Sequence, residues 1–240
     1  MDIVLASVGL LVASPVLVPV VVAVWAYDRH SPFYIAPRVG RGGRMFRMVK
    51  LRSMRVNADR TGVDSTSARD PRITPVGHLI RRYKLDELTQ LWNVLKGDMS
   101  LVGPRPNVER DTRLYTDAEK QLLSVRPGIT DFSSIVFADE GEILKDKSDP
   151  DIAYNQLIRP WKSRLGIFYV TRADVLLDLR LIWLTALAIV SRDRALRGVH
   201  TELTQLGAPK DLAGIALRDA PLLPLPPPGA SEIVTSRGVI

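Results

Sequence analysis

The chain begins with an apolar run that carries no charged side chain from Ile3 to Tyr27. Asp2 is the only charged side chain before Asp28. A membrane-spanning helix needs about 20 consecutive apolar residues, so the run is long enough to cross a bilayer. A cleaved signal peptide normally has a basic start and a shorter apolar core, which disfavours that alternative. Residues 1–30 are therefore predicted to form a membrane helix.

Two prolines bear on how this segment enters the bilayer. Pro15 cannot donate to the carbonyl four residues before it, and Pro19 repeats the loss one turn later. The run thus divides into Ile3–Ala13 and Val16–Tyr27, two arms of about 17 Å each at ~1.5 Å per residue. Each arm is close to half of a hydrocarbon core of ~30 Å, and Ser14 can return its hydroxyl to a freed carbonyl. A kinked spanning helix and a re-entrant hairpin both satisfy this pattern.

Basic residues follow the apolar run closely, which orients the segment. They are Arg29, Arg38, Arg41, Arg44, Arg47 and Lys50. The positive-inside rule places this side of the membrane in the cytoplasm. The whole chain has 33 Lys and Arg residues and 26 Asp and Glu residues, and the resulting net charge of +7 favours an anionic partner. Juxtamembrane basic residues more often meet anionic lipid headgroups than nucleic acid, and the aromatic content of 6% gives little support to a nucleic-acid surface.

The pattern of residues 31–200 predicts one soluble domain of the α+β class, rich in helix and with few short strands. Met45–Met54 alternates like a strand, so Lys50 and Arg52 are expected to share a face. Apolar residues from Leu85 to Leu95 recur at helical spacing, and Val175–Val190 predicts a helix in the core or at the membrane interface. Further predictions are a loop at Asn57–Ala68, a strand at Met99–Val102, a helix at Asp117–Val125 and another at Asp149–Arg164, broken at Pro160.

Residues 201–240 differ in composition, because five prolines stand between Pro221 and Pro228. Such a stretch excludes helix and favours polyproline II. The sequence therefore predicts a proline-rich tail that is dispensable for catalysis and membrane attachment. The alternative is that Leu222, Leu223 and Leu225 dock the tail on the domain or on a second chain.

Composition limits the chemistry that is available. The chain has no cysteine and three histidines, which excludes disulfides, thiolate metal sites and a histidine-rich metal centre. The sequence contains no P-loop and no dinucleotide-binding fingerprint.

The most informative carboxylates are Asp86 and Glu87, in the first turn of the predicted Leu85–Leu95 helix. Neighbouring helical residues project roughly 100° apart, so these two can serve different roles. Acidic residues in the first turn also stabilise a helix by interacting with its dipole, which is the purely structural explanation for the pair. Nearby arginines favour a functional role for the two acids over a purely structural one; they are Arg81, Arg105 and Arg126. Carboxylates beside arginines on rigid turns suit a divalent metal and a phosphorylated substrate.

Several ordered motifs together resemble the bacterial sugar transferase family, the monotopic polyprenyl-phosphate phosphoglycosyltransferases, over roughly Ser14 to Val190. The matching segments are Ser14-Pro15, Arg38-Val39-Gly40, Lys50-Leu51-Arg52-Ser53-Met54, Leu85-Asp86-Glu87-Leu88, Lys96-Gly97-Asp98-Met99-Ser100, Gly103-Pro104-Arg105-Pro106 and Arg126-Pro127-Gly128-Ile129-Thr130.

The resemblance implies a re-entrant membrane helix kinked at Ser14-Pro15, which resolves the alternatives for the apolar run, followed by a small catalytic domain at the cytoplasmic face of the bacterial inner membrane. It also implies an Asp-Glu dyad at Asp86 and Glu87, and two substrates: a nucleotide diphosphate sugar, expected to be a UDP-sugar, and membrane polyprenyl phosphate. Asp86 would be the nucleophile that forms an aspartyl phosphosugar, and Glu87 would hold Mg²⁺. The candidates for phosphate contacts are Lys50, Arg52, Arg81, Arg105 and Arg126. The expected reaction is the first membrane step of glycoconjugate or polysaccharide assembly.

The chain departs from the family pattern in three places. Thr89 stands where the family usually has proline, and Leu51 where many members have phenylalanine. The segment from Asp131 to Glu142 lacks an arginine that is often found there.

Two rival functions are a degenerate scaffold that recruits other enzymes and a basic nucleic-acid-binding protein. The intact Asp86, Glu87 and Arg105 argue against the scaffold. The sequence leaves the sugar, the polyprenol length and the formation of a homo-oligomer open.

Overall fold

The structure is a computed structural model that describes residues 1–58 and 70–236. From residue 59 onward, the predicted loop Asn57–Ala68 lies outside the described residues. The helix-rich α+β class is confirmed, since short strands alternate with many helices.

The apolar run forms one helix, α1 (Asp2–Asp28), of 27 residues. Its helical assignment continues through Pro15 and Pro19, where the sequence predicted a break between two arms. The hydroxyl of Ser14 donates to the carbonyl of Leu11 at 2.7 Å, which is the carbonyl that Pro15 leaves without a backbone donor. By length and composition this helix could cross a membrane, and few of its side chains are covered by the rest of the chain.

Both ends of α1 are fastened to the following domain. At the start, Asp2 accepts hydrogen bonds from Ser100 and Arg126. At the end, Arg52 binds Asp28 with two hydrogen bonds of 2.6 Å. One stripe of the helix between them packs on the domain through the buried residues Ala6, Leu17 and Val24, while much of the remaining apolar surface is exposed.

After α1 the chain forms an antiparallel hairpin of β1 (Phe33–Val39) and β2 (Met45–Leu51). The strand predicted at Met45–Met54 is confirmed but ends at Leu51. Arg52 therefore lies beyond the strand and binds Asp28, while Lys50 reaches Asp86. The two basic residues thus bind different carboxylates, and Arg52 is not part of the strand on which a shared face was predicted.

The helix predicted from Leu85 to Leu95 is divided into α3 (Leu85–Leu88) and α4 (Leu91–Leu95). Thr89 and Gln90 between them keep right-handed helical dihedral angles, and the amide of Gln90 bonds three residues back rather than four. Both helices contact β2.

The second half of the domain is built on β3 (Ser100–Val102) and β4 (Gly128–Thr130), which pair in parallel. Around them pack α6 (Phe132–Val136), α9 (Arg159–Arg172), α10 (Val175–Val190) and α11 (Arg192–Gln205). Their apolar faces form the largest core of the described chain, around fully buried side chains such as Phe132, Leu165 and Leu181.

Several predicted segments have revised bounds. The segment Asp117–Val125 forms a 3-10 helix at Glu119–Ser124. The segment Asp149–Arg164 forms α8 (Pro150–Ala153), a π-helical turn (Tyr154–Ile158) and the start of α9, with Pro160 in the first turn of α9 rather than at a break. The remaining elements are a 3-10 turn at Arg41–Gly43, α2 (Pro75–Arg82), α5 (Glu109–Thr112), α7 (Glu140–Ile143), α12 (Lys210–Gly214) and a 3-10 turn at Ile215–Leu217.

The predicted domain boundary at residue 200 falls inside α11, because that helix continues to Gln205. Leu203, Leu212 and Ala216 are buried in the main core, so the structure extends the domain well past the boundary. The proline-rich segment is extended and also lies against the domain, where Leu222 packs on the core and Val234 is buried. Of the three leucines named in the docking alternative, Leu222 packs on the core, whereas Leu223 is 70% exposed.

Candidate active site

Asp86 and Glu87 lie at the start of α3, directly after a tight turn. Lys84 adopts a left-handed conformation, with φ of 53°, and this reverses the chain between α2 and α3. The two carboxylates are therefore presented where the chain leaves one helix and enters the next. Both are largely covered, with side-chain exposures of 17% for Asp86 and 19% for Glu87.

Each carboxylate has its own cation. The Nζ atom of Lys50 lies 3.4 Å from Oδ2 of Asp86, and Nη1 of Arg105 lies 3.1 Å from Oε1 of Glu87. Burial alone would raise the pKa of Glu87, but the charges of Arg105, Lys84 and Lys50 hold it below its ordinary value. Burial lowers the pKa of Lys50, against the opposing effect of Asp86. The adjacent acids thus lie in two different environments, each beside its own cation.

The position of Arg105 depends on a close approach between the backbones of Gly103 and Gly128. A Cβ atom on Gly128 would lie 2.1 Å from the amide nitrogen of Gly103, so the two backbones can approach only without side chains. This contact brings β4 beside the Pro104-Arg105-Pro106 turn, and Arg105 donates to the carbonyl of Ile129 at 2.7 Å. The guanidinium is therefore held toward Glu87 by the turn that follows β3 and by its hydrogen bond to β4.

Arg81 reaches the same region from the last turn of α2. Its Nε donates to the hydroxyl of Ser53 at 3.0 Å. Burial lowers the pKa of Arg81, and the neighbouring Asp86 opposes that effect. Gly77 allows helix α2 to lie close to the segment after β2, because a Cβ atom at position 77 would lie only 1.9 Å from the carbonyl oxygen of Ser53.

Strand β2 is bound next to Lys50 by Thr89, which lies between α3 and α4, and by Asn93 of α4. Asn93 accepts from the amide of Val49 at 2.9 Å and donates to the carbonyl of Arg47 at 2.8 Å. The hydroxyl of Thr89 lies within hydrogen-bond distance of the carbonyls of Val49, 3.1 Å, and Asp86, 3.0 Å. The threonine that replaces the family's proline thus lies between the strand of Lys50 and the turn of Asp86.

Lys50, Arg81, Asp86, Glu87 and Arg105 all line one open cavity of about 780 Å³. The structure therefore brings together five of the predicted site residues from four separate segments. A cavity of this size accommodates a nucleotide sugar.

Arg52 and Arg126 are not brought to this cavity. Arg52 is nearly buried against Asp28 and also donates to the carbonyl of Ser31 at 2.7 Å. Arg126 lies 3.0 Å from Asp2. Both predicted phosphate-binding arginines instead fasten the ends of α1, a role that depends on a helix distant in sequence.

The lining of the cavity also includes residues that sequence reasoning missed. Lys162 forms an ion pair with Glu140, and its ammonium lies 5.4 Å from the centre of the Tyr154 ring. Burial alone would lower the pKa of Lys162, but Glu140 raises it above its ordinary value. Asn155 and Arg159 line the cavity as well. No motif marks these residues, because only the packing of α9 turns them toward the dyad.

The donor set of the dyad fits Mg²⁺. This ion is usually held by one or two carboxylates and completes its coordination with phosphate oxygens and water. Asp86 and Glu87 are adjacent carboxylates that line an open cavity. Within residues 1–58 and 70–236, no group of three or more His, Asp or Glu side chains could hold a metal by itself.

Residues 1–192 match the bacterial sugar transferase family. The chain belongs to this family. Three of its relatives carry names that state a substrate or an activity. A galactosyl transferase of Streptococcus agalactiae is 38% identical over 194 residues, which are 74% of this chain and 41% of the relative. A UDP-N-acetylgalactosamine-undecaprenyl-phosphate N-acetylgalactosaminephosphotransferase of Aeromonas hydrophila is 33% identical over 181 residues, 72% of this chain and 42% of the relative.

A third relative from the family is the UDP-glucose:undecaprenyl-phosphate glucose-1-phosphate transferase of Xanthomonas campestris. It is 34% identical over 200 residues, which are 81% of this chain and 39% of the relative. The chain therefore spans less than half the length of each of these three relatives. Their names differ in the sugar.

Proposed function

We propose that this chain is a sugar-1-phosphate transferase that moves a phosphosugar from a UDP-sugar to undecaprenyl phosphate or a closely similar polyprenyl phosphate. The observation that carries the proposal is the dyad itself: two adjacent carboxylates, each paired with a different cation, in the lining of a cavity of nucleotide-sugar size. Two of the three relatives described above have names that include undecaprenyl phosphate, which supports the choice of acceptor.

In the first step, an oxygen of Asp86 attacks the phosphorus that bears the sugar. A bond forms between that oxygen and phosphorus, the bond to the bridging oxygen of the diphosphate breaks, and uridine monophosphate leaves. Lys50, at 3.4 Å, holds Asp86 in place until the substrate arrives. Arg81 and Arg105 supply positive charge to the phosphoryl oxygens.

In the second step, an oxygen of the polyprenyl phosphate attacks the same phosphorus and releases the carboxylate of Asp86. The products are polyprenyl diphosphate sugar and the free enzyme. Splitting the transfer in this way replaces one difficult displacement by two easier ones. Glu87, supported by Arg105, would hold Mg²⁺, which when bound supplies charge neutralisation to the phosphoryl oxygens.

We further propose that α1 is re-entrant, with both ends at the cytoplasmic face of the inner membrane. Asp2 and Asp28 lie at opposite ends of the helix, yet both form ion pairs with arginines of the same domain. The exposed apolar face of α10, which includes Trp183 at 66% exposure, provides a second surface suited to lipid. This geometry lets a soluble sugar nucleotide and a lipid phosphate meet at one cavity.

The proposal is tested by supplying a panel of UDP-sugars with undecaprenyl phosphate and Mg²⁺ and measuring release of uridine monophosphate. The sugar that supports release identifies the donor. Mass spectrometry of the protein with that sugar nucleotide alone is expected to show a phosphosugar adduct, which Asp86→Asn abolishes together with turnover. Asp117→Asn, at an exposed carboxylate, is the matched control and retains both. Full activity or an adduct in Asp86→Asn would remove Asp86 from the role of nucleophile.

A further inference from the structure

The segment from Leu222 to Val234, here called the C-terminal strap, lies outside residues 1–192 that match the family. It is extended and rich in proline, but it is not detached. Val234 is 6% exposed. Arg164 of α9 donates to the carbonyl of Pro226 at 3.1 Å, and Thr116 donates to the carbonyl of Pro228. Fixed contacts therefore hold the strap along much of its length.

The central contact of the strap is made by Gln156, in the π-helical turn Tyr154–Ile158. The amide of Leu225 donates to the backbone carbonyl of Gln156 at 3.0 Å. In an α-helix this carbonyl would accept from residue 160, but that residue is proline and has no amide hydrogen. The side chain of Gln156 donates in turn to the carbonyl of Val234 at 2.7 Å. The strap thus supplies to this carbonyl a donor in place of the amide hydrogen that Pro160 lacks, and one of its own carbonyls accepts from Gln156.

The elements that the strap holds also form the wall of the catalytic cavity. Tyr154 and Asn155 precede Gln156 in the same turn and line the cavity. Arg159 and Lys162, on α9, line it as well. None of the strap contacts described above involves the segments that carry Lys50, Asp86, Glu87 or Arg105.

We propose that the C-terminal strap is a positioning element for the substrate cavity, and that Gln156 is the positioning residue through which it acts. The strap sets the wall formed by Tyr154, Asn155 and Lys162 relative to the dyad. It acts on the affinity for the nucleotide sugar rather than on the chemical step, because the reacting groups lie on other elements. This inference rests on the proposed function.

The test compares Leu225→Pro with Leu225→Ala. Both remove the leucine side chain, but only proline removes the amide that bonds to Gln156, and a proline at this position continues the polyproline conformation of its neighbours. We expect Leu225→Pro to raise KM for the UDP-sugar about three- to tenfold relative to Leu225→Ala, with kcat within about twofold. Leu223→Pro, at a side chain that is 70% exposed, is the matched control and keeps the wild-type KM.

A second variant, compared with the wild-type protein, keeps the test decisive if Leu225→Pro folds poorly. Gln156→Met removes the donor to Val234 while keeping the length of the side chain, and it is expected to weaken binding of UDP measured by calorimetry. The same KM for Leu225→Pro and Leu225→Ala, or a fall in kcat and melting temperature without a change in KM, would show that the strap only stabilises the fold. Failure of the wild-type protein to release uridine monophosphate would instead overturn the proposed function, and the UDP-binding comparison still decides the role of the strap.

Discussion

Lys50 and Asp86 stand 36 positions apart in the chain, and their 3.4 Å contact is made by strand β2 meeting the turn before α3. In the proposed mechanism the ammonium of Lys50 holds the nucleophilic carboxylate in place. Because burial lowers the pKa of Lys50, this support is sensitive to alkaline conditions.

The first prediction follows from the protonation of Lys50. A group with a lowered pKa carries its proton at low pH and loses it as the pH rises through that pKa, so kcat/KM should fall on an alkaline limb below 10.5, the ordinary lysine value. Lys50→Arg keeps its charge throughout this range, so its alkaline limb moves to higher pH even if the rate at neutral pH decreases. The pH profile of uridine monophosphate release measures this, with Lys96→Arg as the control. An unchanged limb in Lys50→Arg would assign the titration to another group.

Thr89 supports the same contact through its hydroxyl, which lies between the carbonyls of Val49 and Asp86. Thr89→Val keeps the shape and removes the donor, and a hydrogen bond of this kind contributes about 1 kcal/mol. We expect kcat to fall about three- to tenfold, and Thr89→Ser to restore it. Thr201→Val, which removes an exposed hydroxyl from α11, serves as the control. Equal kcat values for the valine and serine variants would show that the hydroxyl does not position the dyad.

At the scale of elements, the junction between α3 and α4 carries a buried amide with unmet hydrogen-bonding capacity. Gln90 is fully buried, and neither its Oε1 nor its Nε2 has a hydrogen-bond partner among the described residues. Leaving such a group unpaired in the interior costs about 1–3 kcal/mol. The junction is therefore less stable than its apolar packing alone would make it.

Gln90→Leu is accordingly expected to raise the melting temperature in detergent, because an apolar side chain of similar size needs no partner. The gain should be about 1–3 kcal/mol in the free energy of unfolding. Gln121→Leu, at an exposed position of the 3-10 helix, should leave the melting temperature unchanged. A lower melting temperature in Gln90→Leu would mean that the amide has a partner in the membrane-bound protein.

For the whole molecule, the attachment of both ends of α1 to one domain bears on how this helix enters the membrane. A straight helix of 27 residues is about 40 Å long at ~1.5 Å per residue. A helix that spans a bilayer separates its ends by the full membrane, yet Asp2 and Asp28 both pair with one domain.

We therefore expect both ends of α1 to be accessible from the cytoplasm only. The cysteine-free chain allows a single cysteine to be inserted after Met1 in one variant and to replace His30 in another. A membrane-impermeant maleimide should label both variants in inside-out vesicles and neither in intact spheroplasts. Labelling of the two sites from opposite sides would establish a spanning helix.

The C-terminal region gives the last prediction. Truncation after Gly207 removes Leu212, Ala213 and Ala216 from the main core, where each is buried. Fully burying a leucine side chain contributes about 1.5–3 kcal/mol, so the truncated protein should lose its cooperative thermal transition. Leu212→Ala in the full chain should lower the melting temperature by a smaller amount. A truncated protein with the wild-type thermal transition and specific activity would show that the tail is dispensable, as its composition predicts.

The sequence by itself determined those features whose signals are local. The charge-free run from Ile3 to Tyr27, the alternation in β2 and the apolar spacing of Val175–Val190 each predicted an element that the structure contains. The ordered motifs identified the family, because each is a short contiguous segment. The dyad was found for the same reason, since Asp86 and Glu87 are neighbours in the chain.

Only the tertiary structure decided which charges meet. Arg52 and Arg126 have the same chemistry as Arg81 and Arg105, but they pair with the ends of α1 rather than line the cavity. Lys162 lines the cavity wall because α9 packs against the 3-10 helix Glu119–Ser124 and α6. The proline-rich tail resembles a free segment by composition, yet Gln156 and Arg164 supply it with partners. Composition and periodicity record what a residue can do, whereas long-range packing selects its partner.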